Sequence, residues 1–327
     1  MNRQANVGLV VIGRNEGERL RRCLESARLL AASTVYVDSN SSDGSVALAG
    51  GLGVATLSLD MTLPFTAARA RNAGFERLRK ANPEPDFVQF VDGDCELIEK
   101  WIEAAVDCLQ RQPDVGVVCG RLRERFPERS IYNRLCDIEW DRPVGATDAC
   151  GGIFMTRTAL FASLAGFREE LLAGEEPELC ARMRAQGWKV WRLGQQMAWH
   201  DAAILRFGQW WMRTRRTGFG YAQGVAIGGL RERARVAQLL RPWFWAAALP
   251  AASLGAFLTW GAPGALLLLA YPLQVLRMTL SIQGDAGMRW TRAFFLMLGK
   301  LPELQGQLQF WLARTRRAAV GSFDYKS

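Results

Sequence analysis

The sequence predicts an α/β fold over residues 1–205, a mostly parallel sheet flanked by helices, followed by a helical, membrane-associated region over residues 206–327. Three observations carry this reading. Runs of β-branched residues alternate with segments of helical periodicity in the first part, the pattern of strands joined by covering helices. Polar clusters follow three of those runs. In the second part, Pro242 to Leu276 contains no charged residue.

Composition sets the frame. With 49% apolar and 22% charged residues in 327, the chain folds rather than staying disordered, and it is too long for a small stapled scaffold. Its seven cysteines are an odd number without C-x-x-C spacing, which suggests neither a disulfide framework nor a zinc module and fits a reducing compartment. The first apolar run, Val7 to Ile12, is too short for a signal-peptide core, so the chain is expected to begin in the cytoplasm. Charge divides the molecule. Residues 206–327 hold 16 Lys+Arg and 4 Asp+Glu, so within a net +9 the first 205 residues sum to −3.

In chain order, strands are expected at 7–12, 34–38, 53–58, 86–91 and 115–119, each an apolar run bounded by polar or glycine residues. Helices fit between them at 17–31, 66–80 and 99–111; Leu20, Cys23, Leu24 and Ala27 give the first its buried face. The sharpest change of composition follows the WHDAA segment near residue 200. Beyond it, Trp243 to Trp260 is wholly apolar or small, about 27 Å as a helix against a bilayer core of about 30 Å. Gly261, Pro263 and Gly264 break the run, and Ala265 to Leu276 continues it with Pro272 inside. The segment 243–276 therefore reads as a hairpin that crosses the membrane or enters one leaflet, with a buried pair in a soluble core as the other reading. Trp243, Trp245 and Trp260 at the ends favour the membrane. Arg231, Arg233, Arg235 and Arg241 before it and Arg277, Arg289 and Arg292 after it put both ends on the cytoplasmic side. Residues 290–317 mix Trp290, Phe294, Phe295, Leu298, Leu301 and Trp311 with Arg292, Lys300, Arg314, Arg316 and Arg317, as in an amphipathic helix on anionic lipid. The adjoining uncharged stretch favours lipid over nucleic acid as the partner of these basic residues.

In an open α/β sheet, ligands bind beyond the carboxyl ends of the strands. There the sequence places Gly13-Arg14-Asn15-Glu16, then Asp38 with Ser39-Asn40-Ser41-Ser42-Asp43-Gly44, then Asp92-Gly93-Asp94. Asp92 and Asp94 can share a cation such as Mg²⁺ or Mn²⁺, or one can take a ribose hydroxyl; alone, Asp-Gly after a strand is a hairpin signal, and it is the three clusters on one edge that make a crevice. No Walker A or G-x-G-x-x-G sequence is present, and Gly50-Gly51-Leu52-Gly53 lacks the spacing. Phosphate contacts must then come from metal and side chains, for which Arg69, Arg71 and Asn72 at a helix start are candidates. Glu175-Glu176-Pro177-Glu178 reads as a helix N-terminus, where acidic residues complement the dipole, or as the source of a proton-accepting carboxylate. His200, the one histidine, is structural or a third metal ligand. Trp210, Trp211, Arg213, Arg215 and Arg216 form a basic surface helix or an acceptor platform.

Taken together, the motifs VVIGRNEGERLRRCLES, VYVDSNSSDGS, ARNAGFERL, FVQFVDGDCEL, CGGIFMTRTALFASLAGFREEL, GEEPELCARMRAQGWKVW and WHDA resemble the family 2 glycosyltransferases of the GT-A fold, over residues 5–205. The resemblance implies inverting transfer of a sugar from a nucleotide diphosphate, commonly UDP, to an acceptor hydroxyl. It implies that Asn15, Glu16 and Asp38 face the nucleoside, that Arg71 approaches ribose or phosphates, and that Asp92 and Asp94 form the D-x-D element binding ribose and divalent metal, Mn²⁺ or Mg²⁺, with His200 as a further ligand. Glu176 falls at the family's catalytic base, with Glu175 or Glu178 as substitutes because the family usually has Glu-Asp here. Gly13-Arg14 departs from the common Pro-Thr or Pro-Ala without touching catalysis.

The expected protein is a metal-dependent transferase on the cytoplasmic face of the cell membrane, extending a lipid-linked or polymeric glycan, as in exopolysaccharide or O-antigen assembly. Its expected partners are a nucleotide-sugar donor, that acceptor and membrane lipid, with no nucleic acid. Two alternatives remain. A sugar-phosphate nucleotidyltransferase lacks its glycine-rich, lysine-bearing loop here, and an inactive membrane-tethered sugar-nucleotide binder would not need Glu176.

Overall fold

A computed structural model describes residues 5–80, 84–228 and 233–316. The chain divides into two compact units, Met1–Leu205 and Arg206–Ser327.

One sheet organises the first unit. Its strands are β1 (Val7–Gly13), β2 (Thr34–Asp38), β3 (Ala55–Ser58), β4 (Phe87–Asp92), β5 (Cys95–Leu97), β6 (Val115–Glu124), β7 (Gly145–Ala146), β8 (Phe154–Arg157) and β9 (Lys189–His200). Their order is β3-β2-β1-β4-β8-β6-β9-β5, with β7 on β9. The half containing β1 to β4 is parallel throughout, and β1, β2 and β4 are apolar enough to be buried on both faces, while the edge strand β3 is largely exposed: Leu9, Val10, Val11, Tyr36, Val37, Val88 and Phe90 are inaccessible to solvent. The other half is mixed. β8 runs antiparallel to β4 and β6, β6 is parallel to β9, and β5 and β7 are antiparallel to β9.

The sequence reading has no strand between 86–91 and 115–119 and none after, and so misses β5, β7, β8 and β9. β9 is only partly buried, and Gly194-Gln195-Gln196 interrupts its apolar pattern. The expected helix 17–31 ends earlier: Glu18–Ser26 is α-helical and Arg28–Ser33 is a 3-10 turn. There the Ser26 hydroxyl donates back to the Cys23 carbonyl and accepts the Leu97 amide, tying the helix end to β5. Thr66 is the N-cap of Ala67–Arg79, its hydroxyl accepting the Arg69 amide. Gly50 and Gly51 lie in the last turn of a short helix, Ser45–Gly51. On Ala67–Arg79, Gly74 permits close approach to the sheet: a Cβ there would stand 2.5 Å from Val10 Cγ1 and 2.9 Å from Val37 Cγ2. That contact seats the N-terminal turns of the helix, and Arg71 with them, against β1 and β2.

The second unit is helical. Phe207–Gly228 packs against Lys300–Thr315 through reciprocal glycines, since a Cβ on Gly218 would lie 2.0 Å from the Glu303 carbonyl oxygen and one on Gly306 2.0 Å from that of Arg215. Between them, Arg233–Trp243 continues through a π-helical turn, Phe244–Ala248, into Leu249–Trp260. Gly261, at φ 71°, reverses the chain into Ala262–Leu269 and Ala270–Ser281. The stretches Val236–Trp260 and Ala262–Ser281 are each long and apolar enough to cross a membrane, and most of their apolar residues are not buried within the protein. Leu258, Trp260, Leu273 and Leu280 stand out into the surroundings. The two stretches nevertheless pack together, Gly264 lying directly on the backbone of Ala256.

The expected amphipathic helix 290–317 is corrected to two, Ala286–Leu298 and Lys300–Thr315. Leu304 and Phe310 of the second are buried, so one face of it is already covered by protein. Arg231 and Arg317 lie outside the described residues.

Candidate active site

The carboxyl ends of β1, β2 and β4 meet at one edge of the parallel half of the sheet. Asn15, at φ 55°, accepts the Ser42 amide on Oδ1 at 2.8 Å, while its own amide donates to Ser41 Oγ at 2.9 Å. Asp38 is buried and accepts from the Tyr36 hydroxyl and the Ser41 amide, both at 2.9 Å. These bonds lace the loops after β1 and β2 together. Glu16 is buried against Arg19 at 2.8 Å.

Arg71 holds the centre. Its side chain is 4% exposed; Nη2 donates to Asp92 Oδ1 and Nη1 to Glu175 Oε1, each at 2.7 Å. Burial opposes the guanidinium charge, but the two carboxylates outweigh it and raise the pKa further. Gly152 lies flat against this group: a Cβ there would stand 2.9 Å from Arg71 Nη2 and 3.1 Å from Asp92 Oδ2. Of the other candidates for phosphate contact, Arg69 donates to the carbonyls of Pro64 and Asp60, and Asn72 to Phe167 and Glu169. Both hold loops; only Arg71 reaches the site.

Asp92 and Asp94 take different partners. The turn between β4 and β5 is locked by the Gly93 amide donating to the Ile12 carbonyl at 2.8 Å. Asp92 joins Arg71 at the crevice, whereas Asp94 is buried and its Oδ2 lies 3.1 Å from His200 Nε2. The β5–β9 pairing does this by setting Cys95 opposite His200. Asp94, Cys95 and His200 offer ligand atoms within 4.8 Å of one another. Trp140 stands edge-on to the imidazole, ring centroids 4.7 Å apart. A carboxylate with a histidine nitrogen suits Mn²⁺ better than Mg²⁺, which favours oxygen ligands alone, so Asp94 and His200 fit a divalent cation held at this point.

Glu175, Glu176 and Glu178 all lie in the first turn of Glu175–Ala185. Three neighbours in sequence have three fates. Glu175 is bonded to Arg71. Glu178 is bonded to Arg168 and, through both oxygens, to Arg182, which removes it as a candidate base. Glu176 is 3% exposed, and its Oε1 accepts from the Cys150 amide and from Cys180 Sγ. Burial raises its pKa from the ordinary 4.5 to about 7, against the lowering effect of those hydrogen bonds.

Trp210 is corrected from the acceptor platform: it is buried against Phe295 at 5.0 Å within its own unit. Trp211 donates to Gln305, and Arg213 lies on the same helix, Phe207–Gly228. Sequence reasoning gave no role to Gly152, Cys150 or Trp140. The Gly151-Gly152 doublet, with Gly151 at φ 89°, was a visible signal for the first; nothing in the sequence signals the others.

Residues 9–164 match the family model described as glycosyl transferase family 2. The first unit is a family 2 glycosyltransferase domain. Its fold is shared with solved structures. A mannosyltransferase from Pyrobaculum calidifontis, solved with GDP-Man and Mn²⁺, is 20% identical with a TM-score of 0.64, covering 94% of this chain and 88% of its own. TarS residues 1–349 of S. aureus, with UDP-GlcNAc, is 12% identical with a TM-score of 0.50, covering 96% and 92%. Among curated proteins none matches this sequence. The glycosyltransferase thus has the GT-A fold, and the nucleotidyltransferase reading is set aside.

Two outcomes are expected of this site. Asp94→Asn should abolish the Mn²⁺-dependent part of nucleoside diphosphate binding, measured by titration calorimetry with and without chelator; unchanged metal dependence would remove Asp94 from the metal set. Glu176 keeps its proton up to about pH 7 when folded but loses it near 4.5 when unfolded, so its stabilising contribution is full below 4.5 and lost as pH rises to 7. Glu176→Gln escapes that loss, and its unfolding free energy relative to the parent should gain about 3 kcal/mol between pH 4.5 and pH 8. A pH-independent difference in denaturant titrations contradicts the buried-acid assignment.

Proposed function

We propose that this glycosyltransferase is a metal-dependent, inverting enzyme that moves a sugar from a nucleoside diphosphate to a hydroxyl of a lipid-linked or polymeric glycan at the cytoplasmic face of the membrane. The observation that carries the reading is Glu176: a buried carboxyl with its pKa near 7, one residue from the carboxylate that anchors Arg71. A general base works best when its pKa lies near the operating pH. Glu175, committed to Arg71, is the weaker candidate.

In this reading Asp94 and His200 would hold Mn²⁺ or Mg²⁺, which when bound supplies positive charge to the departing diphosphate, while Asp92, expected from the sequence to share that metal, is held by Arg71 instead. Arg71 orients Asp92 toward ribose and keeps Glu175 in place. Asn15, Glu16 and Asp38 build the wall for the nucleoside. Glu176 accepts the proton of the acceptor hydroxyl as that oxygen attacks the anomeric carbon opposite the diphosphate. A single displacement inverts the configuration and needs no nucleophilic carboxylate.

UDP-sugar is the leading donor class. A GDP-sugar is the second reading, favoured by the likeness to the mannosyltransferase solved with GDP-Man. The membrane part rests on the apolar pair 236–281 and its outward leucines and tryptophans. Trp211 and Arg213 remain as acceptor contacts in this proposal.

Glu176→Gln should retain metal-dependent nucleotide binding while transfer falls by about 10² to 10⁴-fold, a loss in kcat. Normal transfer by that variant would move the base elsewhere. The purified chain should float with vesicles containing anionic phospholipid and stay bound at high salt, because apolar burial is not screened. Recovery in the soluble fraction at all salt concentrations would refute membrane attachment.

A further inference from the structure

Seven cysteines without a metal-binding spacing gave no hint of a thiolate site, yet the fold brings two of them, Cys150 and Cys180, against Glu176. Glu176 and Cys180 are four residues apart on Glu175–Ala185 and so share one helical face. Cys150 belongs to the segment leading to β8, and Cys119 to β6. The Cys180 thiol donates to Glu176 Oε1 at 2.9 Å, the Cys150 amide donates to the same oxygen, and Cys119 is near enough to influence the Cys150 and Cys180 thiols. Ligand atoms of Cys150, Glu176 and Cys180 all lie within 4.8 Å of one another. Tetrahedral zinc, with bonds to sulfur of about 2.3 Å, separates its sulfurs by about 3.8 Å, so little closure is needed.

The chemistry of this group differs from that of Asp94 and His200. Two sulfurs and one oxygen select a soft cation, whereas the other set offers a single thiol, Cys95, beside a carboxylate and an imidazole that accept Mn²⁺. Cys119, Cys180 and Glu176 are buried, and Cys150 is the partly exposed member through which a cation can enter. The Cys180 thiol is pushed up to about 12: its bond with Cys150 lowers it, but burial and the charge of Glu176 prevail. The free protein therefore holds these thiols protonated, and a metal must displace those protons.

We propose that Cys150, Cys180 and Glu176, with Cys119 beside them, bind a thiophilic divalent cation of the Zn²⁺ class, and that its binding inhibits transfer by engaging Glu176. One cation enters, the Cys150 and Cys180 thiols each release a proton to solvent, and Glu176 coordinates as carboxylate, releasing a third proton to solvent wherever the pH is low enough for it to be protonated. The inhibitory half rests on Glu176 being the base; the binding half does not.

The test uses the full chain stripped with chelator. Cd²⁺ alone should produce a thiolate-to-metal charge-transfer band in the ultraviolet that saturates at one equivalent. The band should be lost in the Cys150→Ser/Cys180→Ser double variant and kept in Cys108→Ser, with circular dichroism and thermal midpoint confirming that each is folded. In Mn²⁺-supported transfer, the Zn²⁺ concentration for half-inhibition should rise by about tenfold or more in Cys180→Ser. No saturable band, or a band surviving in the double variant, overturns the site. Equal Zn²⁺ sensitivity of the parent and Cys180→Ser overturns inhibition through it. A band that behaves as expected in a chain without transfer activity supports the site and counts against the proposed function instead.

Discussion

The site depends on one buried guanidinium. Arg71 reaches from the second turn of its helix to bridge Asp92, at the end of β4, and Glu175, at the start of another helix. Two carboxylates brought together by the fold repel each other; the guanidinium between them removes that repulsion and offsets part of the hydration lost on burial. Removing one partner from such a buried arrangement typically costs about 3–5 kcal/mol, because it strands the others. Arginine suits the position because its planar fork presents two donors to two separate acceptors, which a lysine ammonium does less rigidly.

Glycines make that arrangement possible. Gly74 lets the Arg71 helix touch Val10 and Val37, and Gly152 leaves room for Arg71 and Asp92 on the opposite side. Neither is needed for a turn; each is small because another group occupies the space a Cβ would fill. The helical unit repeats the principle with Gly218, Gly306 and Gly264, where backbones meet directly. The burial of Glu176 follows from the same compaction, since a helix N-terminus pressed against the segment around Cys150 excludes the water that would otherwise lower its pKa.

Legibility differed across the sheet for a physical reason. β1, β2 and β4 are buried on both faces, so each reads as an unbroken apolar run and its end is marked by a polar cluster. β8 has only four residues, and β9 is half exposed with polar residues within it, so neither carries a signal of comparable strength. Asp92, Asp94, Arg71 and Glu176 could be named from motifs. That Asp92 and Asp94 part company could not, because it results from β5 pairing with β9, more than a hundred residues away in the chain.

By itself the sequence determined the parallel half of the fold, the polar edge that carries the site and the apolar hairpin with its break at Gly261, since each depends on patterns local to the chain. Only the tertiary structure decided which acidic residues are tied down and which is left with a proton to exchange. Glu175, Glu176 and Glu178 look alike along the chain, but successive helical positions point in different directions. One meets Arg71, one meets a cluster of thiols and one meets Arg168 and Arg182. Their chemistry is set by those long-range neighbours.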